Sequence, residues 1–481
     1  MATASGIRIA EVISALSYAL DLTEGQPMGH SVRCCVIGMR IASQIKMPLR
    51  DQADLYYALL MKDAGCSSNA SRMFQILGTD EIKAKRDIKT TDWTKVGWES
   101  LEYALSHVRT GAPFLERVRA LVEVAIHNKR DARDLVQIRC GRGAHIARRI
   151  GLSQATAEAI LSLDELWDGH GHPQGLKGRE IPLLSRIMNI SQNIDVFYMT
   201  QGIQATLNMV RARSGTWFDP DLAHAFESSA KDASLWQDVD NAAKCAPALE
   251  PGGVIFEADE ATLDNICLAF SDVIDAKSPF TYRHSLGVAA AATAIAKTLG
   301  MPQQEVSTLR RAALLHDIGK LSVSNSILDK PGKLTDDEWS VVKQHPFYTY
   351  EILRRAPGFS EFALTAASHH EKLNGSGYFR GVNGDMLDLP SRILVVADIF
   401  DALHAKRPYR DSIPADQVLA MIEKDAPAAV DPACLNALRY AHDHGSSMTD
   451  DLARLGEQTS SPAHSQADEF SLKGEDHKVA R

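Results

Sequence analysis

AALLHDIGK, residues 312–320, ends an apolar run on a histidine and an aspartate side by side, with a lysine four positions after the histidine. Much earlier the chain carries ALLMKDAGC, residues 58–66, the same segment with Lys62 in place of the histidine and Cys66 in place of the lysine. One chemically equipped copy and one stripped copy point to a duplicated chain in which one half keeps the chemistry.

The duplication extends in both directions. His30 lies 33 residues before Asp63 and His284 lies 33 before Asp317, so these blocks repeat at an offset of 254. A second block, DGHGHPQGLKGREIPLLSRI (168–187), repeats as NGSGYFRGVNGDMLDLPSRI (374–393) at an offset of 206, with Gly169, Gly171, Gly175, Gly178, Leu183, Ser185, Arg186 and Ile187 recurring. The two offsets differ by 48, so the first copy holds about that many extra residues, placed within 70–137. The Pro and Gly segment APALEPGG (246–253) marks the boundary. The expected organisation is a first helical domain at 1–245, a linker at 246–258, a second domain at 259–455 and a disordered tail at 456–481, where EQTSSPAHSQADEF has few large apolar residues.

Length and composition agree. A chain of 481 residues, 45% of them hydrophobic, can bury more than one core. A formal charge of -9 gives no general attraction to DNA, RNA or anionic lipid, so no nucleic acid polymer is expected as a partner. No apolar run approaches the ~20 residues that span a bilayer, and MATASGIRIAEVISAL lacks a basic segment followed by a long apolar one. No membrane association and a cytoplasmic location are expected. Seven cysteines with no C-x-x-C pair read as reduced and mostly buried.

Helical patterning dominates. Leu263, Ile266, Phe270, Val273 and Ile274 share one face of a helix over 259–276, and SLGVAAAATAIAKTLG (285–300) is Ala-rich and ends on glycine. Pro302 opens another helix, and Thr335 with Glu338 forms a capping box at the head of a further one. Only VVAD and MFQIL suggest strands, and both are too short to build a sheet. The fold class is all-α, as two tandem helical bundles.

The second copy concentrates histidines and carboxylates: His284, His316, His345, His369 and His370 with Asp317 and Asp398. A mixed imidazole and carboxylate set suits iron, manganese or zinc. Adjacent helical residues point ~100° apart, so His316 with Asp317, and His369 with His370, are better served by two ions bridged by Asp317 than by one. Two ions suit phosphodiester hydrolysis, in which one activates water and both neutralise transition-state charge. Lys320, one turn from His316, would stabilise a phosphate oxygen. His170, His172, His404, His442 and His444 read as hydrogen-bonded structural residues.

The motifs RHS (283–285), HDIGK (316–320), LDKPGKLTDDEW (328–339), QHP (344–346), HHEKLNGSGYF (369–379), ADIFDAL (397–403) and RPYR (407–410) occur in one order. Over roughly 259–430 the chain resembles the HD-GYP subgroup of the HD metal-dependent phosphohydrolases. That resemblance implies an all-helical cyclic dinucleotide phosphodiesterase using iron or manganese. It assigns metal ligation to His284, His316, Asp317, His345, His369, His370 and Asp398, a catalytic role to Asp317 and Lys320, and substrate phosphate contact to Lys320, Arg407 and Arg410. The substrate implied is cyclic di-GMP, chiefly, or 3',3'-cGAMP, opened to a linear dinucleotide or carried on to mononucleotide. Other readings are an HD phosphohydrolase of another nucleotide and a noncatalytic nucleotide sensor.

Two departures stand out. Family members holding a third ion place a glutamate four residues before the RHS histidine; Phe280 stands there, which favours two divalent ions. The GYP triplet reads GYF at 377–379, which weakens any contact with a diguanylate cyclase-type partner through that loop. In the first copy Lys62 replaces His316, Cys66 replaces Lys320, Arg139 replaces His345, Leu163 and Asp164 replace the paired histidines, and Gln192 replaces Asp398. Cations where cations should bind would repel metal. The first copy resembles a degenerate HD-GYP domain serving contact with the active domain, homodimerisation or ligand sensing. A fragment of about residues 255–455 is expected to keep metal and some activity.

Overall fold

The computed structural model describes residues 6–91, 98–110, 112–251, 257–281, 283–405 and 411–444. Arg407, Arg410 and the expected tail at 456–481 lie outside the described residues. Among those described the chain is helical, as expected. Its one sheet is a two-residue pair in which Ile7–Arg8 runs antiparallel to Glu257–Ala258. MFQIL falls within the helix Ala70–Leu77 and VVAD within the helix Leu389–His404, so neither is a strand.

Local sequence accounts for the helix ends. Asp259 accepts from the backbone of Thr262 at the head of Glu260–Asp275, and Leu263, Ile266, Phe270, Val273 and Ile274 are all buried. Thr335 and Glu338 form the reciprocal capping box expected for Asp336–Val342. The Ala-rich helix His284–Thr298 is buried on almost every side, as a helix apolar all round must be. All seven cysteines are free, and all but Cys245 are buried. No helix among the described residues is long and apolar enough to cross a membrane.

The described residues divide into two compact units that do not follow chain order. The first gathers the chain up to residue 281 together with 315–370; the second gathers 283–314 and the chain from 371 onward. Within the first, the helix Ile9–Thr23 packs on the 3₁₀ turn Ile318–Ser322 and on the helix His345–Leu353. The helix Glu260–Asp275 packs on the 37-residue helix Phe114–Ile150, where Arg149 pairs with Asp272. Arg355 stacks over the Tyr18 ring at 4.9 Å, and the buried Lys277 ammonium lies 2.8 Å from the Glu81 carboxylate. The expected linker is packed where it is described: Tyr57 donates to Glu250 at 2.7 Å.

These contacts set the structure against the expectation of an autonomous 255–455 fragment, because residues 257–281 and 315–370 bury their faces against the first 250 residues of the chain. The extra segment of the first copy adds the helices Glu81–Ile88 and Trp98–His107, with a satellite core of Met73, Leu77, Ala84, Val108 and Ala120. In the second unit, His284–Thr298 packs on Leu389–His404 and on Pro432–Asp443.

Candidate metal centre

His316 and Asp317 sit where the helix Gln303–Leu315 gives way to the 3₁₀ turn Ile318–Ser322. Ending the helix there removes the difficulty of two adjacent residues facing one centre. Thr349 ties the break down: its hydroxyl donates to the His316 carbonyl at 2.8 Å and accepts from Gly319 N at 3.1 Å. Gly319 is required by close approach, since a Cβ there would collide with the His345 carbonyl oxygen. His345 opens the helix His345–Leu353, with Pro346 in its first turn, while His369 and His370 follow the end of Ala363–Ala367.

These elements bring His316, Asp317, His345, His369, His370 and Lys320 together. His345 Nε2 and His369 Nε2 lie 3.0 Å apart, and Asp317 Oδ1 is 3.4 and 3.5 Å from them. His345 Nδ1 is 2.7 Å from the Val342 carbonyl and His369 Nδ1 is 2.7 Å from the Ala366 carbonyl. A carbonyl only accepts, so both Nδ1 atoms carry hydrogen and the Nε2 atoms are the ring nitrogens turned toward Asp317. The rings of His345 and His370 are 5.1 Å apart, and those of His316 and His369 are 4.7 Å apart. Donor atoms of His345, His369 and His370, and of His316, Asp317 and His369, each fall within 4.8 Å of one another.

The electrostatics suit a cation. Burial, with the Lys320 charge nearby, holds His345 well below the ordinary imidazole value and so neutral. Burial opposes charge on Asp317, but His316 and the Lys320 ammonium 2.6 Å away outweigh it and hold the carboxyl well below its usual range. The result is a fully buried carboxylate among imidazole nitrogens.

The second unit holds His284 and Asp398 as a pair, with His284 Nε2 3.2 Å from the carboxylate. It also holds a residue the sequence reading missed: Asp401 accepts from His284 Nδ1 at 2.6 Å. Burial disfavours charge on His284, yet Asp398 and Asp401 together raise it to about 9. Glu371 was missed as well; its carboxylate accepts from the backbone N–H groups of Arg380, Gly381 and Val382, fixing the glycine loop that follows the paired histidines. In that loop Phe379 takes φ 98°, which the ring of the family's proline cannot adopt, so GYF gives a different backbone. Of the histidines read as structural, His404 and His444 each spend Nδ1 on a backbone carbonyl.

The first copy keeps this frame without the donors. His30 Nδ1 meets Asp195 at 2.6 Å as His284 meets Asp401, and Glu165 accepts from Gln174, Gly175 and Leu176 as Glu371 does from its loop. A Cβ on Gly65 would collide with the Arg139 carbonyl oxygen, as one on Gly319 would with that of His345. Where the second copy has donors, Lys62 pairs with Asp63 and Arg139 with Asp164. Lys89, absent from the sequence reading, lies 2.9 Å from Glu24, and Lys85 lies 3.6 Å from it. Glu24, Asp63 and Cys66 are close enough to hold an ion, but these four cations already neutralise their carboxylates, and burial pushes the Cys66 thiol well up. His30, Cys34 and Asp195 are similarly close, but Arg33 donates to Asp195 at 2.6 Å and burial keeps Cys34 protonated.

The donor set around Asp317 suits a divalent metal ion: His345 and His369 with Nδ1 fixed on backbone carbonyls, an ionised carboxylate and no thiolate.

The family model described as "HD domain" matches residues 124–222 and 269–434. Over 444 residues the chain is 43% identical to 3'3'-cGAMP-specific phosphodiesterase 3 of Vibrio cholerae, covering 90% of this chain and 94% of that protein. It is 42% identical over 146 residues to the cyclic di-GMP phosphodiesterase response regulator RpfG of Xanthomonas campestris, covering 30% of this chain and 39% of that one. The crystal structure of a cyclic GMP-AMP specific phosphodiesterase of V. cholerae matches with a TM-score of 0.64 at 38% identity, covering 91% of this chain and 98% of that one. The chain therefore belongs to the HD-domain superfamily of phosphohydrolases.

Proposed function

We propose that this chain is a metal-dependent phosphodiesterase that opens a cyclic dinucleotide, with 3',3'-cGAMP preferred over cyclic di-GMP. The preference reverses the order expected from the motifs. It rests on the relative named for 3'3'-cGAMP, which is similar over nearly the whole chain, whereas the relative named for cyclic di-GMP is similar over less than a third of it.

The observation that carries the activity is the opposed pair His345 Nε2 and His369 Nε2 beside the buried Asp317 carboxylate. We assign ion binding to His316, Asp317, His345, His369 and His370 in one unit and to His284 and Asp398 in the other. Bound divalent ions would activate a water and screen phosphate charge. The chain's own part is to keep His345 neutral by burial, hold the Nδ1 hydrogens of His345 and His369 on backbone carbonyls, and keep Asp317 ionised. Lys320, whose side chain is 21% exposed, supplies an ammonium donor for a phosphate oxygen. Water adds at phosphorus, the P–O3' bond breaks, and the 3' oxygen leaves with a proton, giving a linear dinucleotide. Arg407 and Arg410 remain candidates for substrate phosphate.

Residues 1–245 form a degenerate copy whose role is architectural or regulatory, and 259–455 the catalytic copy. The test is purification without chelator, metal analysis, and chromatography of reactions with 3',3'-cGAMP, cyclic di-GMP and linear nucleotides. Faster turnover of 3',3'-cGAMP is expected; hydrolysis of linear nucleotides alone would overturn the reading.

A further inference from the structure

Glu81 belongs to the first copy's extra segment, far from any ligand motif, yet its side chain is fully buried and polar partners surround it. It stands in the first turn of the helix Glu81–Ile88, which Asp80 caps by accepting from Ile82 N and Lys83 N at 3.0 and 3.2 Å. One carboxylate oxygen accepts from Lys277 Nζ at 2.8 Å and from Asn325 N at 3.0 Å. The other accepts from Asn325 N at 2.9 Å and from Ser324 Oγ at 2.7 Å. Asn325 in turn donates through Nδ2 to the Lys277 carbonyl and to Asp329, both at 2.7 Å. Burial works against charge on Glu81, but Lys277 and these donors outweigh it and hold the carboxyl below its usual value.

Ser324 lies four residues beyond Lys320, and little freedom separates them. Lys320 N donates to the Asp317 carbonyl at 2.9 Å and Val323 N to the Lys320 carbonyl at 3.0 Å. The upstream end of the turn is fixed by Thr349, and the downstream end by Glu81. One turn and two turns further along the same helical stretch, Lys85 and Lys89 reach Glu24 in the cation-filled pocket of the first copy. That stretch therefore ties the stripped pocket to the segment carrying Lys320.

We propose that Glu81 is a positioning residue for the reaction: through Ser324 and Asn325 it fixes the turn that sets Lys320 against Asp317. This inference rests on the phosphodiesterase reading above. The full chain, loaded with manganese, is compared with the Glu81→Gln/Lys277→Met double variant, which removes both buried charges together so that neither is stranded. Ser324→Ala, which deletes one bond to Glu81 together with the cap on Ser326 N, is the second variant. Kinetics on 3',3'-cGAMP, bound manganese and hydrogen exchange at 318–329 are measured. The double variant is expected to keep its manganese, lose about tenfold or more in kcat with KM within about twofold, and exchange faster at 318–329, with Ser324→Ala changed less in the same sense. Parental kcat in both variants would overturn the proposal, whatever the exchange shows. Should the double variant not fold, Ser324→Ala decides alone. If the parent chain opens no cyclic dinucleotide, the functional reading fails by itself, and unchanged exchange at 318–329 in both variants would then sink the role of Glu81 separately.

Discussion

His345 Nε2 and His369 Nε2 face each other at 3.0 Å while each ring's Nδ1 is fixed on a backbone carbonyl at 2.7 Å. Neither ring can turn away without stranding a buried N–H, which costs about 1–3 kcal/mol. The fold thus holds both Nε2 atoms in place beside the Asp317 carboxylate. Replacing His369 by leucine should lower bound manganese and cut turnover by more than about a hundredfold, beyond the range for outer partners of a metal site. The metal-free variant should melt lower than the metal-free parent, because leucine removes the hydrogen bond to the buried Ala366 carbonyl and the contact with Asp317. Metal analysis and melting curves with and without chelator check both.

The second copy's His284 gives a pH dependence of defined sign. Its folded-state value of about 9 lies above the ordinary imidazole value, so the folded metal-free chain binds more protons than the unfolded chain between those limits. Its contribution to stability is complete below about pH 6.5 and is lost as pH rises through about 9. An ion taking Nε2 must displace that proton. Calorimetry near pH 8 in buffers of different ionisation enthalpy should show proton release on manganese binding, and release should vanish in His284→Ala.

Asp401 and Asp195 are equivalent in the repeat and should respond differently. Asp401→Asn should weaken manganese binding about 10- to 100-fold, because it loosens the ring of a ligand. Asp195→Asn leaves the buried Arg33 guanidinium short of its carboxylate and should cost about 3 kcal/mol of stability without changing metal affinity. Metal titrations and chemical denaturation of the two variants separate these effects.

A fragment of residues 255–455 should not fold, because it lacks the helix Ile9–Thr23 that covers Ile318–Ser322 and the Glu81 partner of buried Lys277. Circular dichroism and melting of the fragment, with residues 1–250 added in trans as rescue, check this. A cooperative, metal-binding fragment would contradict it.

What the sequence made legible follows physical range. The all-α class came from periodicity, which is local, and the capping box at Thr335 and Glu338 formed as the pattern required. The cluster of His316, Asp317, His345, His369 and His370 was legible because metal donors are chemically distinctive residue types. Asp401 and Glu371 were not, since a carboxylate on a helix or in a loop is ordinarily solvated. A signal was nevertheless there: both recur at the block offset of 206, as Asp195 and Glu165, although the proposed ligand Asp398 does not. The partition into units could not be read, because nothing local in the helix Ile9–Thr23 says that its buried face meets a turn some 300 residues later. Phe379 at positive φ is a case where a one-residue departure from a motif changed backbone conformation as well as rigidity.

The most direct test is turnover of 3',3'-cGAMP by manganese-loaded parent chain and by His316→Ala and Asp317→Ala variants shown to be folded. If these two buried residues hold the reacting centre, both variants lose manganese and more than about a thousandfold in turnover. Parental turnover in either folded variant would place the chemistry elsewhere.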